Sequence, residues 1–388
     1  MSLQQERNQL YWDLWAGKIP ARAPIEFGAG HDYALDYFDY DPRYDRYNPD
    51  LTWELADKVN EMYKGSDTLP MAPTSPSAAY RYIKQAFMVP QSNGFFQHPN
   101  IVAVELDELP EFSKDIFKYY VDVIQPRVYG ILQDDPVYGQ LKIQIARQVI
   151  NQEFAGKPNL TDKYECANVN EGRLTMWAPF DFVADYIRSF STILVDLRRK
   201  PQYIIDACEA SSEFMIEQAR MQPAPNPNRI SQMSMPLHMA PYMKPSDAEK
   251  FYFPTYYKTI KGFQDLGFYV STHAEQDFTP HIESMNEVPG KCRIKFEHAD
   301  PKKVVAGMTG PHIIEKMYHF AVLRTGTVQD CIDQAKELLD IVMPTGKYIF
   351  SPSKSPLRKN DTKVENAQAL IQYLIENAKY ERAGESYE

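Results

Sequence analysis

Imidazoles and carboxylates recur in this sequence just beyond short apolar runs. His31 and Asp32 follow Pro24–Phe27, His238 follows Met233–Leu237, and His273, Glu275 and Asp277 follow Phe268–Thr272. Glu297 and His298 come directly after Phe296, Arg324 after Leu323, and Ser351 and Ser353 after Phe350. A histidine beside carboxylates supplies either a general acid with its base or a nitrogen-and-oxygen shell for a divalent ion. The strongest pairing is His238 with the His273/Glu275/Asp277 cluster, since no apolar helical pattern assigns either to a core. Arg324, Ser353 and His273 are the candidates for holding a substrate, arginine because its fork clamps a carboxylate or phosphate. Plainer roles compete at several of these positions. His31 and Asp32 can bond the turn made by Gly28 and Gly30, and Glu297 and His298 precede Asp300-Pro301, a helix-start signal.

Such residues meet only if the runs before them lie side by side and end on the same side. Amphipathic helices alternate here with short β-branched or aromatic runs, as in βα units around a parallel sheet. Thr327 caps a helix whose apolar positions run from Val328 to Val342, Pro344 and Gly346 end it, and Tyr348–Phe350 reads as the strand that follows. Thr362 and Glu365 then stand in capping-box spacing before the last helix, and Ser246 and Glu249 do the same for a helix over Pro245–Leu266, in which Pro254 predicts a bend. Lys291–Phe296, Phe268–Thr272, Met233–Leu237, Leu174–Ala178 and Pro24–Phe27 read as strands, and a long helix runs from Ala178 through Arg199. Seven or eight strands, each followed by a helix, point to one closed (β/α)8 TIM barrel over residues 1–388, with an N-terminal helical elaboration over about 109–155. The cleft of such a barrel lies at the C-terminal ends of its strands, where the polar residues stand.

Composition removes several partners. A net charge of −10 argues against nucleic acid, which needs a basic face. No apolar run approaches the roughly 20 residues that cross a bilayer, and MSLQQERNQLYWDLW is no signal segment, so a cytoplasmic protein is expected. Cys166, Cys208, Cys292 and Cys331 lie far apart with no CxxC pair, which suggests buried thiols rather than disulfides or a thiolate zinc site.

Several ordered segments resemble the uroporphyrinogen decarboxylase and corrinoid-methyltransferase superfamily: Met235–Lys244 (MPLHMAPYMK) with the helix beginning at Pro245, His273–Pro280 (HAEQDFTP), Ala178–Pro201, and Gly346–Leu357 followed by Val364-Glu365-Asn366-Ala367. The resemblance implies a barrel with one of two chemistries. One branch decarboxylates uroporphyrinogen without a cofactor, using arginines after the first strand. The other transfers methyl groups to or from a corrinoid protein, with zinc held by a His-x-Cys motif and a later Cys. His238 matches that histidine, but Ala240 stands at the first cysteine position and Ser353 and Lys354 stand around the second. Any zinc would therefore be held without cysteine, by His238 and Glu275 with Asp277 or His273; without metal, His238 and Glu275 act as acid and base. The resemblance ranks first a methyltransferase component acting on a small molecule, with a corrinoid presented by a partner protein. A decarboxylase-like lyase and a non-catalytic barrel that binds a tetrapyrrole or corrinoid protein are the alternatives. Uroporphyrinogen itself is disfavoured, because Glu26–Asp32 carries no Arg or Lys for its carboxylates. A homodimer is compatible with the helical region.

Overall fold

Runs such as Ile230–Leu237 and Cys292–His298 are buried along nearly their whole length, as strands of a parallel sheet covered on both faces must be. The computed structural model describes residues 1–75, 77–154 and 156–388. Six parallel strands, Asn170–Thr175, Ile230–Leu237, Tyr269–Asp277, Cys292–His298, Ile313–Lys316 and Tyr348–Ile349, lie in chain order in one sheet. Extended backbone near its two edges closes the ring. Phe350 bridges Ile25 in parallel, with Phe350 N donating to Pro24 O and Glu26 N to Phe350 O, both at 2.8 Å. Asp67 N donates to Ile25 O and Ala167 N to Asp67 O, both at 2.7 Å, and Ile230 N reaches Val169 O at 2.8 Å. Eight positions are thus filled, two of them by segments too irregular to be strands. The expected first strand, Pro24–Phe27, is one of these.

At the second position a side chain does ladder work. The Asp67 carboxylate, fully buried, accepts from Ile25 N at 2.7 Å and from the Arg22 fork at 2.6 and 2.7 Å, with Arg7 Nε at 3.1 Å. Arg7 belongs to the N-terminal helix Leu3–Trp15, whose Tyr11, Leu14 and Trp15 pack with Val169, Ile230, Ile313 and Ile349 and so cover the N-terminal end of the barrel. Inside, Arg293 donates to Glu26 and to Glu315, both at 2.6 Å, while Tyr11 Oη donates to Glu26 and Ser351 Oγ to Glu315, both at 2.8 Å.

Several element boundaries differ from expectation. The Tyr269–Asp277 strand extends far enough to include His273, Glu275 and Asp277 rather than leaving them in a loop. The helix expected over Pro245–Leu266 is two, Pro245–Phe251 and Phe253–Asp265, broken at Tyr252 just before Pro254, whose ring cannot accommodate a continuous backbone ladder. Of the expected caps, Thr327 with Asp330 forms a complete capping box, whereas Ser246 and Thr362 do not cap their helices, which start from Lys244 and Lys363. The long helix to Arg199 is instead a turn at Pro179–Asp181, a π-helix over Phe182–Arg188 and a separate helix Ile193–Arg199. Helices occupy most of the expected elaboration, among them Leu109–Lys114 and Gly139–Phe154; its last residue, 155, lies outside the described residues. No helix among the described residues is long and apolar enough to cross a membrane.

Removing one member of a buried ion cluster leaves the rest uncompensated, typically at about 3–5 kcal/mol. Arg293→Met should lose about that much in urea unfolding, and adding Glu315→Gln should recover part of it. Additive losses in the double variant would show that the two groups are not coupled.

Candidate active site

The residue after the Ile230–Leu237 strand, His238, is held from both sides of its ring. Its Nδ1 lies 2.5 Å from Asp185 Oδ2 and its Nε2 3.3 Å from Glu275 Oε1. Its backbone is fixed as well. Asp181, wholly buried, accepts from His238 N at 2.9 Å, Met239 N at 2.8 Å and Tyr252 Oη at 2.6 Å. The two aspartates come from the turn at Pro179 and the π-helix that continues it, a wider coil often found at functional sites. Glu275 comes from the neighbouring strand, where the register slips between Ala274 and Asp277 and Gln276 takes a left-handed φ of 67°. Such a bulge re-aims side chains at a strand end.

Burial alone would lower the His238 pKa, but the carboxylates of Asp185, Glu275 and Asp181 override it and push it up to about 11. The ring is therefore an imidazolium at neutral pH. Glu275 is held below the usual carboxylate range, since the His238 charge outweighs its burial. Burial pushes the Asp181 carboxyl up to about 7, against the His238 cation and the hydrogen bonds it accepts. His273, whose Nδ1 lies 3.9 Å from Glu275, is in the opposite state: burial and the Lys316 and Lys295 cations push it down to about 4, leaving it neutral. A cavity of about 410 Å³ opens beside His238 and Asp185, bounded by His98, Asn100, Phe190 and Ser191.

The other expected site residues lie elsewhere. His31 opens the helix His31–Tyr37 and meets Thr52 Oγ1 at 3.2 Å; burial and Arg46 push its pKa down to about 4. Asp32 pairs with Arg46 at 2.6 Å. Asp277 accepts from Thr279 N in its own turn, and Ser353 is buried and accepts from Phe320 N. Arg324 does not follow a strand: that strand is Ile313–Lys316, and Arg324 is exposed on the helix Ala321–Thr325. The residues expected to hold zinc would be His238 through Nε2 and Glu275 through Oε1, 3.3 Å apart, with Asp185 orienting the ring through Nδ1 and any metal replacing the Nε2 proton. Among the described residues no three His, Cys, Asp or Glu side chains are grouped to hold a metal ion. All four cysteines are free and buried.

Asp181, Asp185 and Tyr252 were not among the sequence candidates, nor were Lys295, Lys316 and Lys354. A signal for the first lysine was present: Arg293, Lys295 and Glu297 alternate along one strand and so share a face.

Because two carboxylates hold the His238 proton, its ring resonances should stay those of an imidazolium in NMR titrations from pH 6 to 9. In Asp185→Asn the pKa should fall from about 11 toward the ordinary 6.5. A wild-type titration midpoint near 6.5 would contradict the geometry.

The comparison with known proteins agrees with this architecture. No curated protein matches the chain. Residues 175–376, just over half of it and covering the barrel from the end of the Asn170–Thr175 strand to the last helix, match the family described as uroporphyrinogen decarboxylase (URO-D). The chain, with its ring of parallel strands and His238 at a strand end, belongs to the uroporphyrinogen decarboxylase family.

Proposed function

We propose that this chain is an acid–base enzyme, a lyase of the decarboxylase kind that acts on a small organic acid through the His238 imidazolium. The observation that carries the reading is the placement of His238 between Asp185 and Glu275 at the edge of a 410 Å³ cavity. When carbon dioxide leaves a carboxylate, the electron pair of the broken bond stays on the substrate. A fixed cation stabilises that pair, and a proton must then be delivered to the carbon. His238 carries both charge and proton. Held by two carboxylates it is a reluctant donor; a substrate that sets its reacting carbon, rather than a carboxylate, at Nε2 in the place of the half-exposed Glu275 leaves only Asp185 on the ring and brings its pKa closer to neutrality, and solvent returns the proton after carbon dioxide has left. Asp185 keeps the ring oriented throughout, and Asp181 fixes the backbone that carries it.

The corrinoid-linked methyl transfer ranked first on sequence drew its support from a metal at His238. With that ring holding a proton between carboxylates, the support moves to proton transfer. A cavity of about 410 Å³ suits a small ligand, at the lower part of the roughly 300–1,000 Å³ usual for small-molecule sites, better than a tetrapyrrole.

The test is carbon dioxide release from a panel of small carboxylic acids and from uroporphyrinogen, under anaerobic conditions. A small acid should be turned over. His238→Ala should reduce kcat about 10²- to 10⁴-fold, the usual contribution of a general acid, with an unchanged circular dichroism spectrum. Normal turnover by that variant, or coproporphyrin formed as the preferred product, would overturn the reading.

A further inference from the structure

Beside the His238 site lies a second cavity of about 250 Å³, lined among others by Glu26, Lys295, Glu315, Lys316, Lys354 and Ser355. Glu297, on the same strand as Lys295, accepts from Gln276 N at 2.9 Å and lies 3.4 Å from Lys354 Nζ. The carboxylates in its wall are already engaged. Glu26 takes Arg293 and Tyr11, and Glu315 takes Arg293 and Ser351. Lys295 Nζ comes no nearer than 3.9 Å to Glu315 and makes no hydrogen bond among the described residues. Lys316 and Met317 both adopt left-handed backbone, φ 77° and 68°, which side-chain-bearing residues rarely do. This backbone turns Lys316 Nζ onto the carbonyls of Pro352 and Ser353, at 3.2 and 2.9 Å, with one N–H left over. Burial lowers its pKa, so its charge is short of compensation. At Gly28 a Cβ would meet Ser355 Oγ at 2.8 Å, so a side chain there would push the Ser355 hydroxyl aside at the cavity wall.

We propose that this cavity is an oxyanion subsite that takes a carboxylate of a small organic acid on Lys295 and Lys316, with Lys354 at its rim. Three lysines in its lining, Lys295, Lys316 and Lys354, stand against the two carboxylates of Glu26 and Glu315, and a surplus of one charge suits a monoanion better than a phosphate dianion. The proposal deepens the reading of His238 by naming the group that holds the substrate, and it is tested without turnover.

Calorimetric titration of the full chain with acetate, propionate and inorganic phosphate at about pH 8, where phosphate is mostly a dianion, separates the cases. The carboxylates should bind better than phosphate and should bind His238→Ala as well as wild type. Binding should fall about ten- to a hundredfold in Lys295→Gln and in Lys316→Gln, as expected when a hydrogen bond to a charged group is lost. Thermal unfolding of Lys295→Gln checks that its fold is intact. Equal acetate affinity in folded Lys295→Gln, preference for phosphate, dependence on His238, or no binding by wild type would each overturn the subsite. A subsite that passes while His238→Ala turns over normally would leave the lysines in place and remove the proton donor; the reverse pattern would do the opposite.

Discussion

A carboxylate taken out of water must be given donors on nearly every side, and that requirement sets the layout of this barrel. At the N-terminal end Asp67 collects Arg7, Arg22 and the Ile25 amide, and so pins two segments too short on regular pairing to close a ring by backbone alone. Within the barrel Glu26 and Glu315 share Arg293, which ties the first position to the sixth and seventh. Beyond the strand ends Asp181 collects two backbone amides and the Tyr252 hydroxyl, fixing where His238 stands. In each case the donors come from elements far apart in the chain, so satisfying one buried charge also fixes tertiary structure.

The same physics divides the barrel mouth into two halves of opposite character. Around His238 three carboxylates outweigh burial and keep an imidazole charged, while around His273 two lysines add to burial and keep another neutral. Glu275 stands between them, 3.3 Å from one ring and 3.9 Å from the other. A substrate entering here meets a proton held by acids on one side and fixed ammonium groups on the other. A reaction that releases a neutral gas from an anion makes use of both.

Legibility in the sequence followed how locally each residue is placed. His238, His273 and Glu275 were readable because a strand ending is a local event and the βα rhythm locates it. Asp181 and Asp185 were not, since they sit inside APFDFVADYIRSF, which reads as one α-helix, and the change at Phe182 from the turn that carries Asp181 to the π-helix that carries Asp185 leaves no compositional trace. Arg324 was misplaced because its strand ends at Lys316, and the apolar residues between them belong to a turn and a short helix. Asp67 lies in YKGSDTLP, where nothing alternates; its place in the ring depends on Ile25, Arg22 and Arg7, all brought in by the completed fold.

On sequence alone the acids after the first barrel position repel a substrate rich in carboxylates, since Glu26–Asp32 contains no cation. Charge in a closed barrel is shared between strands, however, and Glu26 is already matched by Arg293 from the sixth position, while Asp32 is matched by Arg46. The cations left to face a ligand, Lys295, Lys316 and Lys354, come from the sixth and seventh strands and the last loop. What limits the substrate is therefore space and the amount of charge, not its sign. A cavity of about 250 Å³ takes one end of a small acid, and the single charge left over among its lining groups cannot match the many carboxylates of a uroporphyrinogen.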